Sequence, residues 1–327
     1  DVYKRQVGGA LAYRVPPTGW KPAGWVAPAA KANNAMITKG HVHVNTAWKT
    51  PQFWLVWAVL CLNVSAGIGI IGMASPMLQE VFGGKLIGLN VPFSQLDAAQ
   101  LGQIAAIAAG FTGLLSLFNI GGRFFWASFS DLIGRKATYF VFFALGFTLY
   151  ALVPWTGHLG SIALFVFAFC LILSMYGGGF ATVPAYLADL FGTQMVGAIH
   201  GRLLTAWAFA GVLGPVLVNY LREYQLSIGV ERAAAYDITL YILAGLLVLG
   251  FICNLLVRPV DPKYFMTDAE LAAERAHGEK SKPSAAELEW AADPSSKPLV
   301  IAAWLAVGIP LAWGVWITLQ KTVVLFH

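Results

Sequence analysis

Inside the apolar stretch from 101 to 126, Ser116, Asn119 and Arg123 recur at helical spacing, so one helix face carries a hydroxyl, an amide and a guanidinium. Two chemistries are open to Arg123. Its planar fork matches a carboxylate through two parallel hydrogen bonds. Its long stem also allows it to snorkel from lipid toward the headgroups as a plain anchor. Depth argues for the first, because Arg123 precedes Asp131 by eight residues, about 12 Å along a helix axis. A centrally placed arginine costs at least about 2.5 to 3.5 kcal/mol in hydrocarbon, a cost that a polar stripe facing a cavity avoids.

A second set lies at 176 to 180. Tyr176 and Phe180 are four apart and share a face, with Gly177, Gly178 and Gly179 between them. The Tyr176 hydroxyl can donate to an anion. Phe180 can pack against a short apolar body, or it is ordinary core. Each helical glycine costs about 1 kcal/mol relative to alanine, so three in a row imply close helix approach or bending. A phosphate cradle is excluded because no strand precedes YGGGF. Trp207 and Leu204 share a face of a helix that begins near His200 and Arg202, two residues close enough to a span end to read as structural.

The elements that hold these groups follow from composition. The chain is 58% hydrophobic and 11% charged, against roughly a quarter charged in soluble domains, so it is a membrane protein. Seven apolar runs, at 53–75, 101–126, 138–155, 161–185, 203–221, 236–257 and 299–319, can cross a bilayer at about 1.5 Å per residue. The alternating segments of a membrane barrel are missing from the sequence. Cys61, Cys170 and Cys253 fall in these runs as small packing residues. No Asp or Glu lies deep within any of them. No nucleophile–base set or ligand cluster stands near a span end, so the chain is not read as an enzyme and implies no cofactor. His41 and His43 have no third ligand nearby and read as linker residues rather than a metal site.

Lys and Arg orient the spans. Arg14, Lys21, Lys31, Lys39 and Lys49 place the segment before the first full span in the cytoplasm. Alternation then puts Arg135, Lys136, Arg202 and 258–297 inside, and Lys85, Arg222, Arg232, Lys321 and the terminal His327 outside. Trp54, Trp57, Trp126, Trp155, Tyr186, Tyr220, Tyr236 and Trp316 sit near span ends as interfacial anchors. DVYKRQ carries no structural weight, VGGALAYRVPP reads as the end of a preceding span, and 16–34 reads as a flexible linker, so the chain is expected to be a fragment. After Pro259, Thr267 with Glu270 and Ser284 with Glu287 have capping-box spacing and predict two short helices. Glutamates offset the lysines there, which argues against nucleic acid. The expected organisation is 1–50, span end and linker; 51–258, a six-helix bundle; 259–297, a cytoplasmic tail; 298–327, an additional membrane helix.

GGRFFWASFSDLIGRK, at 121–136, resembles the G-x-x-x-D-x-x-G-R-K loop of the major facilitator superfamily. LNVSAGIGIIGMASPM at 62–77, SMYGGGFATVPAYLADLFG at 174–192 and GAIHGRLLTAWAFAGVLGP at 197–215 are similar to the seventh, tenth and eleventh helices of its oxalate/formate antiporter family, which includes bacterial monocarboxylate transporters. The resemblance implies an all-α membrane protein, the C-terminal six-helix bundle of a transporter plus one added C-terminal helix, with the N-terminal six-helix half missing. It implies that Asp131 caps or pairs at the cytoplasmic helix end, that Gly134 permits a tight turn, and that Arg135 and Lys136 anchor the next helix.

By the same resemblance Arg123 holds the substrate carboxylate, with Asn119, Tyr176, Phe180 and Trp207 around it. Oxalate-exchanging relatives carry a lysine at the Trp207 position. Its absence leaves one intramembrane cation, which suits a monoanion such as lactate, pyruvate or formate better than a dicarboxylate. Asn119 stands where some monocarboxylate relatives have an Asp. Proton coupling then falls to the missing half, to the anion itself, or is replaced by anion exchange. The implied partners are a small carboxylate, protons in the symport case, and the lipid of a cell inner membrane. Three alternatives remain open: a dicarboxylate exchanger, a sugar or drug carrier that tolerates a neutral residue at 123, and a receptor that binds without transporting.

Overall fold

A computed structural model describes residues 36–280 and 297–322. Its helices are α1 (Val44–Ala47), α2 (Pro51–Phe82), α3 (Ala98–Ile133), α4 (Arg135–His158), α5 (Ile162–Phe191), α6 (Val196–Leu203), α7 (Thr205–Ser227), α8 (Asp237–Leu256), α9 (Asp268–Lys280) and α10 (Lys297–Thr322). The protein is all-α, and six stretches among the described residues are long and apolar enough to cross a membrane. The expected seventh span coincides with α10, whose 26 residues form one continuous helix. Expected spans are mostly shorter than the helices, since hydropathy stops where polar residues begin while the backbone ladder continues. The run at 53–75 extends to Phe82 in α2. The run at 203–221 is preceded by α6, broken at Leu204, and extended to Ser227.

Local chemistry sets the helix boundaries. Thr50 caps α2 with Pro51 at its first position. Asp97 and Gln100 form a reciprocal capping box at 2.8 and 3.0 Å at the start of α3. Gly134, with φ of 91°, reverses the chain between α3 and α4, a conformation that an L side chain resists.

α2 and α5 are the most interior of the six membrane-length helices. α3 packs along α5, α2 along α7, and α4 along α8. Small residues let these backbones approach. A Cβ added to Gly214 would lie 2.5 Å from the Ser65 carbonyl, and one added to Gly69 would lie 3.1 Å from the Gly214 carbonyl, which locates the α2–α7 crossing. Phe165 and Phe169 stack at 4.4 Å between centroids, and Phe111 meets both rings.

The segment before α2 is bound to the bundle from Thr38 onward. The Thr38 amide donates to the Asp189 carbonyl at 2.7 Å and the Val42 amide to that of Phe191 at 2.9 Å. Val42 also bridges to Phe265. His41 and His43 have structural roles here: each Nδ1 accepts a backbone amide, from Gln194 and Asn45 respectively. Arg202 donates to the Val44 carbonyl and the Asn45 side chain at 2.7 and 2.6 Å, in keeping with a structural reading. The linker expected at 16–34 lies outside the described residues.

A separate unit includes α9 and most of α10. Thr267 and Glu270 make the expected capping box, with the Thr267 amide donating to the Glu270 carboxylate at 2.8 Å. The second expected helix, at Ser284, lies outside the described residues.

Candidate functional site

The stripe on α3 is arranged as its spacing predicts, but on an open face rather than in an enclosed cavity. Ser116 and Arg123 are exposed and Asn119 is half-buried. Among the described residues the Arg123 guanidinium makes no ion pair, and its helix packs along α5, which carries Tyr176. The Ser116 hydroxyl turns back to the Thr112 carbonyl at 3.1 Å. Asn119 is turned toward α5, its side-chain oxygen 2.8 Å from where a Cβ on Gly177 would stand.

Two of the three glycines, Gly177 and Gly178, together with Gly122, explain how α3 and α5 come so close, while Gly179 faces Asn63 of α2. A Cβ on Gly122 would collide with the Ser174 backbone, and one on Gly177 with the Asn119 carbonyl. A Cβ on Gly178 would lie 2.6 Å from Trp126, whose indole donates to the Ser174 hydroxyl at 3.2 Å. Close approach is therefore the role of YGGGF, and α5 runs through it as continuous α-helix. Gly67 of α2 likewise makes room for the Tyr176 ring.

Tyr176, Phe180 and Trp207 form one aromatic chain. Tyr176 meets Phe180 edge-on at 5.3 Å, and Phe180 meets Trp207 edge-on at 6.0 Å. Tyr176 is buried while Trp207 is 47% exposed. The backbone thus brings Asn119, Arg123, Tyr176, Phe180 and Trp207 from α3, α5 and α7 to one side of the bundle. This side combines a guanidinium with no ion pair among the described residues, a phenol and an apolar wall.

The loop residues Asp131 to Lys136 do a different job. Arg135 pairs with Asp131 and also donates to the Ser130 hydroxyl at 2.6 Å. Lys136 does not merely anchor at an interface. It donates to the Leu255 and Val257 carbonyls at 3.1 and 2.7 Å, satisfying free acceptors at the C-terminal end of α8.

A feature that hydropathy misses lies at the opposite end. Glu80, near the C-terminus of α2, is buried; its carboxylate accepts Arg222 Nη2 at 2.5 Å, the Tyr236 hydroxyl at 2.6 Å and Arg232 Nη1 at 3.4 Å. The expectation of no acidic residue deep in a span needs this qualification, since α2 outruns its apolar stretch. Arg222 likewise lies within α7 and is partly buried, not in an exterior loop. Three expected interfacial anchors are also interior. Trp126 faces α5, the Tyr186 hydroxyl bonds Asn254 at 3.2 Å, and Tyr236 serves Glu80. The signal that could have found Glu80 is its three-residue spacing from Met77, which continues the buried face of α2. Asn63 of α2 was also not singled out; its buried Nδ2 has no hydrogen-bond partner among the described residues and lies beside Gly179.

The sequence model of the Major Facilitator Superfamily matches the chain over residues 7–215 and again over 112–325. The chain belongs to the major facilitator superfamily. As a member with six such helices it is a multi-pass membrane protein. It is similar to the oxalate:formate antiporter of Oxalobacter formigenes, 32% identical over 168 residues, which cover 51% of this chain and 35% of that protein. It is also similar to the uncharacterized MFS-type transporter YdeG of Bacillus subtilis, 28% identical over 217 residues, covering 64% of this chain and 48% of the relative. The matched stretch is thus less than half the length of either relative.

Proposed function

We propose that this superfamily member forms one wall of a secondary active transporter for small monocarboxylates, with Arg123 as the group that holds the anion. The observation that carries the reading is an exposed guanidinium with no ion pair among the described residues, on a membrane-spanning helix packed along the helix that carries Tyr176 and Phe180. A cation that only anchored a helix would gain nothing from a phenol and an aromatic wall. A carboxylate with a short apolar body uses all three: the guanidinium fork, the Tyr176 donor, and the Phe180–Trp207 surface. The open face calls for a second helical bundle to close it, and alternating access follows from rocking of one bundle against the other. Similarity to an oxalate:formate antiporter supports anion transport. Trp207 beside Phe180, in place of a second cation, favours a monoanion.

In this reading Lys280 and the Asp131–Lys136 end face the cytoplasm of a cell whose inner membrane holds the protein, and Lys85 and His327 face outward. Impermeant labelling of single cysteines from outside should modify position 85 and spare position 280; the opposite pattern reverses the orientation.

The test of the site is the binding of labelled lactate and pyruvate by membranes with matched protein abundance. Arg123→Lys keeps the charge and loses the fork, whereas Arg123→Gln loses both. Affinity should fall in the order wild type, Lys, Gln, with the Gln variant weaker by at least about tenfold to a hundredfold. Unchanged carboxylate affinity in the Gln variant would end this assignment.

A further inference from the structure

A cavity of about 570 Å³ lies at the end of the bundle opposite Asp131, between the C-terminal end of α2, the loop at 90–94 and the connection from α7 to α8. Its wall carries four ionisable side chains: Glu80, Lys85, Glu231 and Arg232. They are not equally committed. Glu80 is saturated by Arg222 Nη2 at 2.5 Å and by the Tyr236 hydroxyl at 2.6 Å. Arg232 reaches the same Glu80 oxygen only at 3.4 Å, and its side chain is 55% exposed. That contact is its one ion pair among the described residues, so most of its five donors remain unused. Lys85 forms no ion pair among the described residues; its ammonium rests beside Gly160 of the α4–α5 connection and must swing from there to meet a ligand in the cavity. Asn90 and Ser94 add further hydrogen-bonding groups to the wall.

We propose that this cavity is a low-affinity docking site for a small carboxylate, held by Arg232 and Lys85. Two incompletely paired cations on the wall of one cavity attract an anion, and a concave low-dielectric wall concentrates their field. Glu231 on the same wall weakens the hold. Weakness suits such a site, because an anion that must move on requires binding favourable enough to enter and loose enough to leave. Its purpose, delivering anions to one end of the bundle, rests on the carboxylate-transport reading. The binding itself does not.

The probe is acetate, and the readout is the rate at which Ser94→Cys, in the purified chain, is modified by an anionic thiol reagent. Acetate should slow modification at position 94. In the Arg232→Gln/Lys85→Gln background the acetate concentration needed for protection should rise by at least about tenfold. Arg232→Lys/Lys85→Arg should preserve protection, which separates lost charge from a damaged fold. Arg123→Gln should leave it unchanged. The proposal is overturned if acetate gives no protection, if chloride at equal ionic strength protects equally, if the neutral pair protects like wild type, or if Arg123→Gln abolishes the effect. Protection by acetate together with absent lactate and pyruvate binding at Arg123 would retain the docking site and reject the transport reading.

Discussion

Two arginines on membrane-spanning helices of this protein have opposite circumstances. Arg222 is 15% exposed and is held by Glu80, Glu223 and Tyr236. Arg123 is exposed, and its guanidinium has no ion pair among the described residues. Hydropathy treats them alike, as single cations beside apolar runs. The difference lies in what the fold places opposite each. Three elements converge on Glu80, so the charge of Arg222 is neutralised inside the chain and joins α2, α7 and the start of α8. On the face of α3 no carboxylate among the described residues pairs with Arg123, which is why we propose that its charge serves a partner from outside the chain. A committed cation is architecture, whereas an available one is a candidate for recognition.

The strongest way to break this contrast is to remove the committed partner. Glu80→Ala removes the buried carboxylate on which Arg222 and Tyr236 converge and leaves Arg222 only the exposed Glu223, so the loss should approach the cost of about 3 to 5 kcal/mol for breaking a buried pair. Thermal unfolding in detergent should show a large loss of stability for Glu80→Ala and almost none for Arg123→Ala. Equal effects would mean that Arg123 is structural after all.

A second comparison sharpens the geometry on which the Arg123 face depends. Gly121 and Gly122 are neighbours, yet a Cβ at Gly121 meets nothing within 4 Å, whereas one at Gly122 collides with the Ser174 backbone. Gly122→Ala should destabilise by about 1 to 3 kcal/mol through forced separation of α3 from α5. Gly121→Ala should be neutral or slightly stabilising, by up to about 1 kcal/mol from helix propensity. The same denaturation assay distinguishes them, and equal losses would contradict the α3–α5 crossing.

A smaller effect concerns the Tyr176 hydroxyl, on the helix that packs along α3. Tyr176→Phe keeps the edge-on contact with Phe180 and removes one donor. Lactate affinity should fall by about threefold to tenfold, with thermal stability unchanged. No change would remove Tyr176 from the anion site and leave it as packing.

Much of the architecture was legible in the sequence because apolar run length reports directly on helices long enough to cross a membrane. The α3 stripe was legible for the same reason, since helical spacing alone puts Ser116, Asn119 and Arg123 on one face. The Tyr176–Phe180 pair followed in the same way, and its junction with Trp207 is a tertiary contact between α5 and α7. What could not be read was pairing across long separations. Glu80 and Arg222 stand 142 positions apart, and Lys136 caps carbonyls about 120 positions away. Each side chain looks like an ordinary span-end charge until the fold supplies its partner. Anchor assignments failed similarly: a tyrosine near a span end looks interfacial, and only packing shows that the Tyr236 hydroxyl turns inward to a carboxylate.

The smallest expected effect lies outside the spans, where pairing occurs without burial. The Asp261 carboxyl is held below its usual range, first by the Lys263 backbone amide at 3.0 Å and then by the Lys263 ammonium, which is itself raised by Asp261. A depressed carboxylate contributes above its unfolded value and ceases to contribute as pH falls through its lower folded value. The turn at 261–264 should therefore be ordered at neutral pH and should loosen only in acid, below the ordinary aspartate range. Both side chains are exposed, with water and salt screening the pair, so global stability should barely respond. Amide exchange at Lys263, compared at neutral and acid pH after correction for intrinsic rates, should rise in wild type and already be high in Asp261→Asn. If Asp261→Asn instead lowered the melting temperature as Glu80→Ala does, pairing alone would account for stability. The contrast between a buried and an exposed charge would then lose its basis.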